Sequence, residues 1–248
     1  MERYKDFAYI YDELIQGDVD YMQWSENILN ICDLFNLNKS DYLDLACGTG
    51  NMTNYLSKKF KNTWAVDLSP DMLTEADKKL RSSGIKANLV CQDISSINLN
   101  RKFDLITCCL DSTNYITSTE DIVSYFKCVN NHLKDNGLFI FDINSYYKLT
   151  EILGNNTFNF DNGDVVYIWD NCIEDNIVDM YLTFFVKRGD MYERFDEEHR
   201  ERAYTEKEIE EFLQSAGLEV LKKLNNYEDE KLTAESERIV YVVKKHSC

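Results

Sequence analysis

Residues 43–50, Leu-Asp-Leu-Ala-Cys-Gly-Thr-Gly, constrain this chain more than any other stretch. Asp41 to Leu45 read as the end of a buried strand, with an acid, Asp44, set inside an apolar run. Ala46, Gly48 and Gly50 are small, so the backbone can turn sharply and a ligand can approach it closely. Asn51 to Phe60 then open a helix, whose free N–H groups and dipole favour an anionic group at that end. Strand, small-residue turn and helix in this order predict a nucleotide-type site at the carboxyl end of a parallel sheet. One such turn is weak evidence, so the later strand ends decide the matter.

Composition narrows the classes. The 248 residues are 44% apolar and 13% aromatic, enough for one large globular domain or a domain with an insertion. A net charge of −17 argues against nucleic acid and anionic membrane surfaces as partners, because neutralising phosphates takes Lys and Arg. It suits a cationic ligand. The eight cysteines show no C-x-x-C spacing, the start is charged, and no apolar run approaches a membrane span. A reducing cytoplasm is the expected compartment. Cys47 reads as a small packing residue, with no His near it in sequence to activate a thiolate.

The 43–50 motif resembles motif I of the class I S-adenosylmethionine-dependent methyltransferases, where an acid precedes a small residue and Cys-Gly-Thr-Gly. Ala46 stands where many members carry the first glycine. The NAD fingerprint fits less well: its third glycine position holds Thr53, and it does not require an acid such as Asp44. Later strand ends continue the resemblance. Thr63 to Asp67 form a strand ending on an acid placed to accept both ribose hydroxyls of a nucleoside, and Ser69-Pro70 start a helix. Ala87 to Cys91 form a third strand, and the following Gln92-Asp93-Ile94 resembles the family's adenine corner. Phe103 to Cys109 form the fourth, leading into Leu110 and Asp111. The resemblance implies a cofactor site made of Tyr11, Asp44, Ala46, Cys47, Gly48, Gly50, Asp67, Leu68, Met72, Gln92, Asp93, Ile94, Cys109 and Leu110. Gly50 is expected to lack a side chain because one would stand where the cofactor approaches.

Residues 3–36 read as helical, and the Phe7 to Asp12 segment is similar to one that lies over the pocket in related methyltransferases. Tyr4, Phe7 and Tyr11 also fit the plain apolar face of a helix. Ser118 caps a helix that Asp135-Asn136-Gly137 are expected to end, with His132 near its close read as a structural residue, where a cation would suit the dipole. Leu138 to Ile143 make the fifth strand. Residues 155–203 alternate in polarity between turn signals at Asn162-Gly163, Glu174-Asp175-Asn176 and Arg188-Gly189-Asp190, predicting an antiparallel meander. Thr205-x-x-Glu208 is a capping box, Ala216-Gly217 stop its helix, and Glu219 to Leu224 with Ile239 to Val243 form a closing antiparallel pair.

The expected fold is α/β: a doubly wound, mostly parallel seven-stranded sheet with an inserted antiparallel β meander. The resemblance, which covers residues 1–150 and 204–248, implies the order 3-2-1-4-5-7-6 with strand 7 antiparallel. Residues 1–154 and 204–248 would form the cofactor-binding core and 155–203 a substrate lid. The implied activity is methyl transfer from S-adenosylmethionine to a small molecule, driven mainly by positioning the nucleophile in line. A base is needed only for a protonated nucleophile. Candidates are Asp111, Tyr115, Tyr146, Tyr147 and His199. Tyr115, Tyr146, Arg200 and Arg202 are candidates for substrate contact. The two arginines either orient an acidic acceptor or pair with Glu197, Glu198 and Glu201. His132, His199 and His246 are scattered, and no metal site is expected. An NAD(P)-dependent oxidoreductase and a non-catalytic S-adenosylmethionine-binding protein remain open alternatives at this point. Oligomeric state is not readable.

Overall fold

The computed structural model describes Asp12 and residues 19–246. Tyr4, Phe7 and Tyr11 lie outside the described residues. Helix α1 (Tyr21–Leu34) is capped by Asp20, whose carboxylate accepts from the Gln23 N–H, and it buries Trp24, Ile28 and Ile31. Five strands and three helices follow: β1 (Asp41–Leu45), α2 (Asn51–Leu56), β2 (Asn62–Asp67), α3 (Pro70–Ser82), β3 (Asn88–Cys91), β4 (Phe103–Cys108), α4 (Thr119–His132) and β5 (Leu133–Asn144). The Ser69 hydroxyl accepts from Met72 N–H, and Pro70, already fixed at a helical φ, takes the first position of α3.

α4 ends at His132 and β5 begins at Leu133, so Asp135-Asn136-Gly137 lie inside the strand rather than stopping the helix. Packing explains the early switch. Leu133 is fully buried beside Phe103, and a Cβ on Gly137 would stand 2.8 Å from its Cδ1. His132 is buried as well. Its Nε2 accepts the Leu99 N–H and its Nδ1 faces the Cys128 carbonyl at 2.7 Å, the pattern of a neutral ring that donates from Nδ1 rather than a dipole-stabilised cation.

A π-helical turn (Lys148–Leu153) leads to β6 (Thr157–Asp161), β7 (Val165–Glu174), β8 (Ile177–Arg188) and β9 (Met191–Arg202), which form a separate antiparallel sheet in that order. Its hairpins turn where backbone φ is positive: at Gly163, at Asp175 and Asn176, and at Gly189. α5 (Glu206–Ser215) carries both bonds of its capping box, and β10 (Leu218–Asn225) with β11 (Arg238–Lys245) return to the main sheet. That sheet runs β3-β2-β1-β4-β5-β11-β10, which is 3-2-1-4-5-7-6 in core numbering, with β11 antiparallel to β5.

Apolar layers cover both faces of the main sheet. One joins Phe126, Phe139, Phe141 and Tyr241 with α4 and α5; the other joins Trp24, Ile28, Tyr42, Leu56 and Tyr227 with α1 and α2. The antiparallel sheet is seated by two smaller contacts. Val165, Phe184 and Val186 pack on Met72 of α3, and Val178 and Met180 pack on Leu149 and Leu153 of the π-helical turn. These contacts hold the second sheet over the carboxyl ends of β1, β2, β4 and β5, where its strands wall one side of a cavity. No helix among the described residues is long and apolar enough to cross a membrane.

Candidate active site

The cavity has a volume of about 1130 Å³ and runs from the turn after β1 to the inner face of the antiparallel sheet. Asp44, at the end of β1, is 1% exposed. It accepts from the hydroxyls of Thr53 (2.5 Å) and Thr107 (2.7 Å), and the Thr107 oxygen lies 2.8 Å from the Tyr42 hydroxyl. Burial pushes its carboxyl up to about 6 against the pull of those hydroxyls. Ala46 and Gly48 both turn at positive φ. A Cβ on Gly48 would meet no atom within 4 Å, so the space beside this turn is open to a ligand.

Asp67 lies at the end of β2 and lines the same space. Its two oxygens accept backbone N–H groups from Gly48 and Ser69, each at 2.8 Å, which fixes the carboxylate plane. Burial raises its pKa and the backbone donors oppose that shift. Asp93 and Ile94, after β3, also line the cavity, and Asp93 is held by the Ser95 N–H and hydroxyl. Cys47 and Cys109 line it too, but burial pushes both thiols well up, which makes them packing groups rather than nucleophiles. Leu68 and Met72 complete this end. The open turn, the paired acids at successive strand ends and the room beyond them fit a nucleoside carrying a sulfonium side chain.

Beyond β4 the chain takes two consecutive left-handed residues, Leu110 (φ 58°) and Asp111 (φ 49°). The fully buried Asp142 of β5 pins them by accepting both backbone N–H groups, at 2.8 and 2.7 Å. Asp142 also accepts from the Tyr227 hydroxyl (2.5 Å) and from Arg238, whose Nη2 donates to Asp111 at 2.8 Å. Asp111 thus answers a buried arginine. Tyr115 meets His199 Nδ1 at 3.2 Å, and the Asn144 amide donates to Glu201 at 3.0 Å; all four side chains line the cavity.

Several expected site residues stand elsewhere. Gln92 is turned away from the cavity, its side chain accepting the Asn98 N–H at 3.4 Å. Tyr146 is 39% exposed and donates to Asn176, and neither it nor Tyr147 lines the cavity. Arg200 and Arg202 also lie outside it. Along β9 the side chains alternate, so His199 and Glu201 point in while the arginines between and after them point out. Arg200 pairs with Asp179, and Arg202 with Glu208 and over the Tyr204 ring, rather than with the neighbouring glutamates.

Gly50 is a further correction. It begins α2 at φ +78°, yet a Cβ there would meet Ala76 of α3 at 3.2 Å and not the cavity. Gly50→Val should therefore cost about 2–4 kcal/mol of stability through helix packing and backbone strain, read as a lowered urea midpoint. A fully stable variant that fails only to bind ligand would restore the cofactor-contact explanation.

Glu201, 2% exposed, lines the cavity rather than pairing with Arg200 or Arg202. Burial and then the nearby Asp111 push its carboxyl up to about 8, with Asn144, Lys148 and Arg238 pulling the other way. An acid raised on folding holds its proton where the unfolded chain has lost it, so its contribution to stability falls as pH rises from about 4.5 to about 8. Glu201→Gln should remove that fall and melt higher than the wild type near pH 9, with little difference near pH 5. Parallel melting curves across pH for the two proteins would contradict this.

A second network ties the site to Asp12. Asp12 accepts from Thr49 (2.7 Å) and Asn51 (2.9 Å) and pairs with Lys79 at 2.6 Å. Burial alone would raise the Asp12 carboxyl, and these donors bring it below its ordinary range. Among the described residues no group of three or more His, Cys, Asp or Glu is placed to hold an ion.

A doubly wound sheet with acids at three strand ends and an open turn defines a nucleoside-binding enzyme fold. Residues 43–137 match a methyltransferase domain family. The chain is 58% identical to a S-adenosylmethionine-dependent methyltransferase of known structure from Clostridium acetobutylicum ATCC 824, covering 98% of this chain and 99% of that one with a TM-score of 0.94. It is 33% identical to YqeM of Bacillus subtilis (strain 168), provisionally named a methyltransferase, over 98% of this chain and 97% of that protein. Over 136 residues, 54% of this chain and 56% of the relative, it is 31% identical to the dTDP-3-amino-3,4,6-trideoxy-alpha-D-glucopyranose N,N-dimethyltransferase of Streptomyces venezuelae. The chain therefore belongs to the S-adenosylmethionine-dependent methyltransferases, and S-adenosylmethionine is its cofactor. The oxidoreductase alternative and that of a non-catalytic binding protein gain no support from these relatives.

Proposed function

We propose that the chain methylates a small molecule held between the doubly wound core and the antiparallel sheet. The observation that carries this reading is the continuity of the cavity. One space is lined at one end by Gly48, Asp67, Asp93 and Ile94, and at the other by Tyr167, Trp169, Met180, Leu182 and Phe184 from the second sheet. The cofactor supplies a methyl group already activated on a sulfonium. Its nucleoside would be held by Asp67, with Asp93 and Ile94 at the base, leaving Tyr115, His199, Asn144 and Glu201 for the acceptor. The division into a cofactor core and a 155–203 lid belongs to this reading, as does a reducing cytoplasmic setting, which the seven free cysteines among the described residues suit. The sugar-nucleotide N,N-dimethyltransferase relative supports a small acceptor of this size.

The test is incubation of the protein with isotope-labelled S-adenosylmethionine and a metabolite extract, followed by mass detection. The label is expected in a low-molecular-weight product. Label found only in protein or nucleic acid would overturn the reading.

A further inference from the structure

Two hydrogen-bond acceptors, Glu201 and Asn144, stand side by side at the acceptor end of the cavity. Glu201 presents a carboxylate whose Oε2 takes the Asn144 amide. Asn144 is itself 4% exposed, and with its Nδ2 committed to Glu201 its Oδ1 is a buried acceptor that meets no donor among the described residues. Both side chains line the cavity. A buried acceptor without a donor is costly, and the Glu201 carboxyl beside it adds further acceptor capacity to the same demand. Around Glu201 stand Asp111 from the loop after β4, Lys148 of the π-helical turn, Arg238 of β11, and the Tyr115–His199 pair. Arg238 is already engaged by Asp142 and Asp111. The ligand that completes the cluster therefore brings N–H donors, and a positive charge on it favours the ionised form of Glu201.

We propose that the methyl acceptor is an amine, bound with its N–H groups toward the Glu201 carboxylate and Asn144 Oδ1, and that Glu201 takes the proton the nitrogen must lose. This rests on the methyl-transfer reading above. An amine supplies two or three donors to the two acceptors. A hydroxyl supplies one, and a carboxylate supplies none and is repelled by Glu201 and Asp111. The proton balance closes within the site. The ammonium gives its proton to the Glu201 carboxylate and becomes a neutral amine with a free lone pair. That pair forms the new nitrogen–carbon bond while the electrons of the methyl–sulfur bond stay on sulfur, so the positive charge passes to nitrogen. The proton on Glu201 leaves to solvent with the product. A carboxyl pushed up to about 8 by burial is well matched to exchanging a proton with an ammonium. The aromatic wall of Tyr167, Trp169 and Phe184 beyond the cluster leaves room for an apolar body on the amine.

The experiment uses the protein saturated with S-adenosylhomocysteine, which cannot transfer a methyl group, and two probes of the same shape, benzylammonium and benzyl alcohol. Calorimetry near pH 7 in two buffers of different ionisation enthalpy reads affinity and proton release together. Benzylammonium is expected to bind about 10–100-fold more tightly than benzyl alcohol and to release a proton from Glu201 as it binds. Glu201→Gln should erase both the preference and the release while keeping S-adenosylhomocysteine affinity. Equal binding of the two probes, binding of neither, or a preference untouched by Glu201→Gln would overturn the proposal. The wild-type comparison alone decides it should the variant fail to fold. If the wild type does not bind S-adenosylhomocysteine, it is the methyl-transfer reading that falls, and the two failures are thereby distinguished.

Discussion

Arg238→Met should lower stability by about 3–5 kcal/mol, the cost expected when one partner of a buried ion pair is removed and the other stays charged. Arg238 has a side-chain exposure of 11% and Asp142 of 0%, so water cannot take over the lost partner. Burial alone would make the guanidinium easier to deprotonate; Asp142 and Asp111 outweigh it and hold the charge. Methionine keeps much of the packing volume against Trp24, whose ring lies 5.4 Å from the guanidinium carbon, so the variant tests charge more than bulk. The consequence extends into the site. Asp142 fixes the left-handed pair Leu110 and Asp111 through their backbone N–H groups, and both residues line the cavity. Cofactor affinity should therefore fall along with the urea midpoint. A loss below about 1 kcal/mol would show that Tyr227 and the two backbone donors suffice for Asp142 without the arginine.

Replacing residues 155–203 with a short Gly/Ser loop should abolish acceptor turnover, by roughly a thousandfold or more, because positioning of the acceptor is most of what such an enzyme supplies. The excision removes Tyr167, Trp169, Met180, Leu182, Phe184, His199 and Glu201 from the cavity wall in one step. Asp44, Gly48, Asp67, Asp93 and Ile94 stay on the core, so affinity for S-adenosylhomocysteine should survive within about tenfold. The loss of cover on Met72, Leu149 and Leu153 lowers stability, at about 1.5–3 kcal/mol for each large side chain fully exposed, so assays belong well below the melting temperature. Retained turnover on an identified acceptor would make the second sheet decoration rather than a substrate wall.

What the sequence made legible follows from how local each signal is. The strand–turn–helix of 41–56, the capped starts at Ser69, Ser118 and Thr205, and the hairpins at Asn162-Gly163, Asp175-Asn176 and Gly189 each depend on residues a few positions apart. Strand-end acids were visible because β1, β2 and β3 are short and clearly bounded. The contacts that decide the rest join distant segments. Asp142 and Arg238 are far apart in the chain and meet only because β11 pairs antiparallel to β5. Thr53 and Thr107, which satisfy Asp44, come from a helix and a strand with no shared pattern. Gly50 was assigned to the wrong partner because nothing local announces that α3 brings Ala76 against it. Glu201 is different, because its signal was available: with His199 facing in, a period of two turns Arg200 outward and brings Glu201 to the same side as the histidine. Side-chain charge drew attention to the arginines where strand register pointed to the glutamate.

Asp67, oriented by Gly48 and Ser69, is the carboxylate we propose receives the cofactor's ribose. Calorimetric titration of S-adenosylmethionine into the wild type and Asp67→Ala tests this most directly. The wild type should bind it in preference to NAD and NADP, and the variant should bind it about 10–100-fold more weakly while its circular dichroism remains that of a folded protein. Unchanged affinity in a folded Asp67→Ala variant, or a wild type that binds NAD and not S-adenosylmethionine, would contradict it.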